Sequence, residues 1–230
     1  MTRVPGGEVE NAAGEIVQVG DLWVLTTEAP WELYDVYLYA LDEPEGGGGD
    51  AITRPSKPYV PPDRGFGHTG YPAIGMTRHA AESFCAWLEA KSGIPVRLPT
   101  PEEWTRAAQS VALEGAAWCA NNSDGTTHPV GKMPANVHGL RDMLGNAAEW
   151  VATDSGRPAA MGGSYRDACD ACTPTAMQRQ TPAWNTSDPQ IPKSVWWLAD
   201  CSWVGFRFVV EVEKMPENVG RSGEEAADDE

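Results

Sequence analysis

The sequence predicts a loop-rich α+β domain in which regular secondary structure is sparse. Ten Trp, 24 Gly and 19 Pro among 230 residues, with few long apolar runs, predict a core built on aromatic anchors rather than on long helices. Three stretches carry helix signatures, and short β-prone runs lie in the first and last parts of the chain. The length suits one well-buried domain, placed at residues 1–214, with an acidic tail at 215–230. From Val219 that tail has too little apolar surface to order itself.

From Val4 to Val24, Gly-rich turns separate short β-prone runs and end in a strand over Asp21–Leu25. Pro30 suits a first helical position, and Trp31, Tyr34, Leu38 and Leu41 recur at helical spacing, which places one apolar stripe on the core. Residues 43–50, with four consecutive Gly, are expected to form a flexible surface loop, and 55–62 to continue it as extended chain. A second helix has Thr77 as N-cap, Phe84, Cys85 and Leu88 facing inward, and Gly93 as its stop. Thr100 and Glu103 form a capping box for a third helix, so Glu103 is read as a cap rather than an acid–base group. Beyond Ser110 the chain is irregular to Leu140, with turns at Asn121–Gly125 and Pro134–Asn136; Asp124 is read as a turn residue rather than a cation ligand. A strand is expected over Met161–Tyr165. Phe206, Phe208, Val210 and Val212 alternate with Arg207 and Glu211, predicting a half-buried closing strand paired near the N-terminal one.

Composition excludes some functions. With 33 acidic against 17 basic residues the net charge is −16, which argues against nucleic acid as a main ligand. No stretch approaches the ~20 apolar residues of a membrane-spanning helix, and the first thirty residues lack the layout of a signal peptide. The five Cys at 85, 119, 169, 172 and 201 form an odd set with no regular framework, so they do not fix the compartment.

The chain is organised around Gly139-Leu-Arg-Asp-Met-Leu-Gly-Asn-Ala-Ala-Glu-Trp150. Gly145 supplies a turn conformation that residues with a Cβ avoid, and Asn146 and Glu149 follow it. An amide oxygen, a carboxylate and turn carbonyls are the hard donors that Ca²⁺ prefers; the alternative is a turn closed by its own side-chain hydrogen bonds.

This stretch, then Gly162-Gly-Ser-Tyr165 and Gly205-Phe-Arg207, with Arg97-Leu-Pro-Thr-Pro-Glu-Glu-Trp104 and Val4-Pro-Gly-Gly7 upstream, resembles the formylglycine-generating enzyme (sulfatase-modifying factor) family over roughly residues 4–210. The resemblance implies the irregular, C-type-lectin-like fold, with two or three helices on small antiparallel sheets, and a structural Ca²⁺ at Asn146 and Glu149. Enzymes of the family oxidise a substrate Cys to formylglycine with Cu(I) held by two thiolates, two and seven residues beyond the aromatic position that is Tyr165 here. Seven beyond is Cys172, but two beyond is Asp167, a hard carboxylate that does not replace a thiolate on Cu(I). The family pocket positions are therefore Ser164, Asp167 and Cys172, with Cys169 as a substitute sulfur, a redox partner of Cys172, or one half of a neutral structural pair.

The four His (68, 79, 128 and 138) show no metal-ligand spacing. Between Tyr165 and Arg207, a Pro-rich loop carries Trp184, Trp196 and Trp197, which suits a groove for an extended peptide, a protein segment or a glycan; Arg207 is grouped with them as ligand-binding. The other reading of the loop divides Trp196 and Trp197 between core and surface. The leading functional expectation is a family domain without the Cu(I) pair that acts as a binding or accessory module, against an active oxidase and a lectin-like sugar binder.

Overall fold

The computed structural model describes residues 1–43, 53–56, 58, 60–109, 117–154 and 156–216. The glycine-rich loop and the far tail of the sequence analysis lie outside these residues. In chain order the elements are β1 (Thr2–Val4), β2 (Gly7–Glu10), β3 (Ile16–Val19), β4 (Leu22–Val24), α1 (Trp31–Leu38), α2 (Arg78–Ser92) and α3 (Pro101–Ala108). They continue with β5 (Ala148–Val151), β6 (Ala159–Met161), β7 (Met177–Arg179), β8 (Val204–Gly205) and β9 (Val209–Glu211).

Helices α2 and α3 begin where their sequences say, and α2 also ends there. Thr77 Oγ1 accepts from the Ala80 N–H at 3.1 Å, and Gly93 closes α2 in the left-handed conformation at φ 70°. In α3 the box is reciprocal: Glu103 N–H donates to Thr100 Oγ1 (3.2 Å) and Thr100 N–H to Glu103 Oε2 (2.8 Å). Glu103 also receives Arg97 at 2.6 and 2.7 Å, so the carboxylate is wholly structural. Helix α1 is shorter than its stripe. Pro30 is its N-cap rather than its first residue, the helix stops at Leu38, and Leu41 lies beyond it, 66% exposed.

The chain ends meet in a three-stranded antiparallel sheet, order β1-β4-β9, with Val24 opposite both Thr2 and Val209. Strands β2 and β3 form a separate hairpin against α3. The third sheet, order β7-β6-β5-β8, is not wholly antiparallel: β5 and β8 run parallel, because the chain reaches β8 only after the excursion of residues 152–203. One hydrophobic cluster gathers α1, α2 and the aromatic residues Trp150, Trp184, Trp196 and Phe206. The other packs Trp104 of α3 and Leu144 against the terminal sheet.

Two expected strands are corrected. The strand placed at Met161–Tyr165 occupies Ala159–Met161, since Gly162 (φ 93°) and Gly163 (φ 72°) turn the chain away. The closing run is not half-buried: Trp203 to Val210 are all buried, Arg207 included, because this segment passes between both cores before pairing with β4.

Gly145 fixes the central turn. Its φ is 73°, and a Cβ there would lie 2.1 Å from the Trp118 carbonyl oxygen. Asn146 N–H donates to that same oxygen at 2.8 Å, so the two backbones cannot separate to make room. Gly145→Ala is expected to cost well over about 1 kcal/mol in a denaturant titration, since it adds a clash to the left-handed strain. Gly93→Ala, where no atom lies within 4 Å, is the control for strain alone. Equal losses for the two variants would contradict the account.

Candidate functional site

Glu149, on β5, and Arg207, in the strap between β8 and β9, meet in the interior as a two-pronged pair: Arg207 Nε to Glu149 Oε2 at 2.6 Å and Nη2 to Oε1 at 2.7 Å. They are 1% and 0% exposed. Trp104 Nε1 donates to Glu149 Oε2 at 2.7 Å, while the guanidinium also donates to the Leu25 carbonyl (3.0 Å) and the Arg141 carbonyl (3.1 Å). Two more buried carboxylates surround the pair. Asp142, at φ 54°, accepts from Met133 N–H at 3.2 Å and from Gly131 N–H. Burial raises its pKa, opposed by those N–H groups and by Arg207. Glu28 is fully buried, and its Oε2 has no hydrogen-bond partner. Burial first, then the charges of Asp142 and Glu149, hold its pKa well above the ordinary value.

The side chains expected to share a Ca²⁺ do not fit one. Asn146, at φ 54°, accepts from His128 N–H through Oδ1 at 2.8 Å and donates to the His128 carbonyl through Nδ2 at 3.1 Å. Both Glu149 oxygens receive Arg207, so the two donors are directed to different partners. The turn is closed by side-chain hydrogen bonds, the alternative that its sequence left open. Among the described residues no group of three or more His, Cys, Asp or Glu is arranged to hold a metal ion.

Nor does the donor set fit Cu(I). Cys169 is bonded to Cys119, which removes it both as a substitute sulfur and as a partner of Cys172. Cys172 is buried, with its thiol 3.7 Å from the Ser164 carbonyl. Burial, aided by the charge of Asp167, pushes that thiol up to about 11. Asp167 accepts from Ser164 N–H (2.9 Å), Ser164 Oγ (2.7 Å) and Gln178 Nε2 (2.8 Å), which fixes its carboxylate as a loop brace. One protonated thiol and one braced carboxylate are not the two soft thiolates that Cu(I) needs.

The loop tryptophans separate. Trp184 is buried against Trp150 and Trp203, with ring centroids 5.8 and 5.3 Å away. Trp196 is buried and packs on the His79 ring at 5.0 Å. Trp197 is half-buried, edge-on to Tyr34, with Nε1 donating to the Ser56 carbonyl at 2.8 Å. It forms one wall of a cavity of about 150 Å³ shared with Pro58, Val60, Pro62 and Arg64. Arg207, grouped with them from sequence, is instead sealed in the core by its ion pair.

Residues 62–189, more than half of the chain, match the sulfatase-modifying factor enzyme 1-like domain. The chain belongs to this family. A formylglycine-generating enzyme of Mycobacterium tuberculosis is 32% identical over 108 residues, which is 37% of this chain and 34% of that protein. A serine/threonine-protein kinase, pkn1, of Chlamydia caviae is 33% identical over 92 residues, 36% of this chain and 14% of the kinase. These matches thus take in about a third or less of the relatives' own lengths. In fold, Treponema denticola variable protein 1 superposes with a TM-score of 0.65 at 20% identity, over 92% of this chain and 94% of that one. PvdO from Pseudomonas aeruginosa gives 0.65 at 18% identity, over 91% and 93%.

Within this sulfatase-modifying-factor-like domain, sequence reasoning missed Arg64 and the pairing of Cys119. Arg64 had one available signal, its place beside Gly65 between the Pro-rich run and Phe66; Cys119 had none, being 50 residues from its partner. No helix among the described residues is long and apolar enough to cross a membrane.

Two tests follow from the buried charges. Arg207→Met leaves Glu149 without its cation and is expected to cost about 3–5 kcal/mol. In a double-mutant cycle with Glu149→Gln the losses are expected not to add, because either change breaks the same pair; strict additivity would show the two to be energetically independent. For Glu28, the folded state holds a proton that the unfolded chain has released once pH exceeds the ordinary value of 4.5. Stability therefore falls as pH rises above that value, until the folded group also ionises. Glu28→Gln is expected to flatten this slope and raise the neutral-pH melting temperature. An unchanged slope would assign the pH dependence to other groups.

Proposed function

We propose that this chain is a formylglycine-generating-enzyme-like domain without the family's copper oxidase activity, acting as a binding or accessory module for an extended peptide or protein segment. The observation that carries the reading is the fate of the second sulfur. Cys169 is held by Cys119, and Asp167 stands braced by Ser164 and Gln178 where the first thiolate of the family resemblance would be. Cu(I) chemistry on a substrate thiol needs a soft, near-linear sulfur pair, and a lone buried thiol with a raised pKa supplies neither the geometry nor the thiolate.

The binding half of the proposal rests on Trp197. Its indole stands at a cavity among prolines, and such aromatic and Pro-rich walls grip extended chain at low entropic cost.

An anaerobic Cu(I) titration against a competing chelator, with the Cys119–Cys169 disulfide intact, tests the first half, followed by assay on a Cys-x-Pro-x-Arg peptide. Weak copper and no aldehyde are expected. Tight one-to-one copper, with turnover that disappears in Cys172→Ser, would establish the active oxidase instead. An Asp167→Cys variant that gains copper affinity would locate the loss at that residue.

A further inference from the structure

We infer that the cavity between Arg64 and Trp197 receives the free C-terminus of a peptide ending in an apolar residue, its side chain in the cavity and its α-carboxylate on Arg64. This rests on the binding-module reading and names its ligand class.

The size and lining select the side chain. The cavity measures about 150 Å³, and its walls include Pro58, Val60, Pro62, Ala199 and the Trp197 indole. An apolar cavity of about that volume accepts a benzene-sized group. The walls are set before a ligand arrives. Trp197 Nε1 is fixed on the Ser56 carbonyl at 2.8 Å, and Ser194 Oγ accepts the Trp196 and Trp197 N–H groups at 3.1 Å each. Val60, a wall residue, is 48% exposed, and Ile191 and Val195, which follow the wall residues Gln190 and Ser194 in the chain, are 97% and 56% exposed. Apolar side chains turned to water on these segments offer contacts to the residues preceding a peptide's last one.

Charge selects the terminus. Arg64, at φ 57°, donates Nη2 to the Leu198 carbonyl at 2.9 Å, while its Nε is buried without a partner. Among the described residues no carboxylate lies within ion-pair distance of it. Of the nearby acids, Asp188 lines the cavity and Asp200 lies close enough to feel the charge of Arg64, but the carboxylate oxygens of both are taken by other donors. Asp188 accepts from Gln190 N–H (2.9 Å), Ser194 N–H (2.7 Å) and Asn185 Nδ2 (3.2 Å), and Asp200 accepts Ser187 through both oxygens. A guanidinium with an unsatisfied buried N–H, beside an apolar cavity, is matched by a carboxylate that uses its fork of donors. An internal peptide residue would fill the cavity but leave that donor unpaired.

The test measures binding, by calorimetry, of a short peptide ending in Phe with a free carboxylate, of the same peptide amidated, and of N-acetyl-phenylalanine. The acid peptide is expected to bind about tenfold or more tightly than the amide, the usual scale for one charge-assisted hydrogen bond, and to weaken with salt. Arg64→Gln, which keeps a donor for Leu198, should erase the acid–amide difference, and Arg64→Lys should retain part of it. Ala199→Phe should fill the cavity and abolish binding of both peptides, with its melting temperature confirming the fold. Equal affinity for acid and amide, no binding of either at millimolar concentration, or an unaffected Arg64→Gln would overturn the site. N-acetyl-phenylalanine binding as tightly as the peptide would make it a small-acid site and overturn the peptide assignment. These readouts are separate from copper and aldehyde, so a failure here and a failure of the non-oxidase reading are told apart.

Discussion

The structure depends on a charge pair that water does not reach. Glu149 and Arg207 come from segments far apart in the chain, and the guanidinium adds the carbonyls of Leu25 and Arg141, so one side chain joins four stretches of backbone. Taking two ions out of water costs several kcal/mol each, and that cost is offset only when nearly every donor and acceptor is matched. Here it is: the carboxylate takes two guanidinium bonds and one from the Trp104 indole. The consequence is positional. Strands of two to four residues cannot define their own register by length, but a buried pair that is satisfied in one geometry alone defines it for them.

The same constraint explains the carboxylates beside it. Glu28 and Asp142 crowd the buried Arg207, and the pair already neutralises that cation with Glu149. Asp142 is compensated by backbone N–H groups presented by a turn in the left-handed region. Glu28 has a long contact from Ala147 N–H (3.5 Å) on one oxygen and no partner on the other, so burial holds its pKa well above the ordinary value. Of the two side chains that read in sequence as oxygen donors for a cation, Glu149 belongs in the fold to one arginine, and Asn146 to the His128 backbone.

What was legible in the sequence was local. The caps at Thr77 and Thr100, the stop at Gly93 and the turn at Gly145 each depend on a residue type whose chemistry acts within four positions of itself, and each appears where it was read. The aromatic core was legible as composition. What failed was direction over distance. Arg207 alternates with apolar neighbours and so reads as a solvent-facing strand residue, yet its segment is enclosed on both sides, and alternation carries no information where there is no solvent face. Cys169 and Cys172 read as neighbours, but the short helix Cys169–Ala171 turns one sulfur toward Cys119 and the other beneath Ser164.

The tryptophans show how a chain with so little regular structure holds its loops still. Trp104 donates to Glu149, Trp150 to the Met76 carbonyl, Trp203 to Gln178 and Trp197 to the Ser56 carbonyl, each indole tying its own segment to a distant one. An indole that packs with its body and bonds with its edge does two jobs that elsewhere fall to a helix face and a sheet ladder. At Trp197 the two are unequal. Its edge is bound and one side packs on Tyr34, but its remaining surface faces a cavity that no side chain among the described residues fills. The indole is thus held as rigidly as a core residue while part of it stays uncovered, and that combination suits recognition, because a wall already ordered loses little further entropy when a ligand meets it.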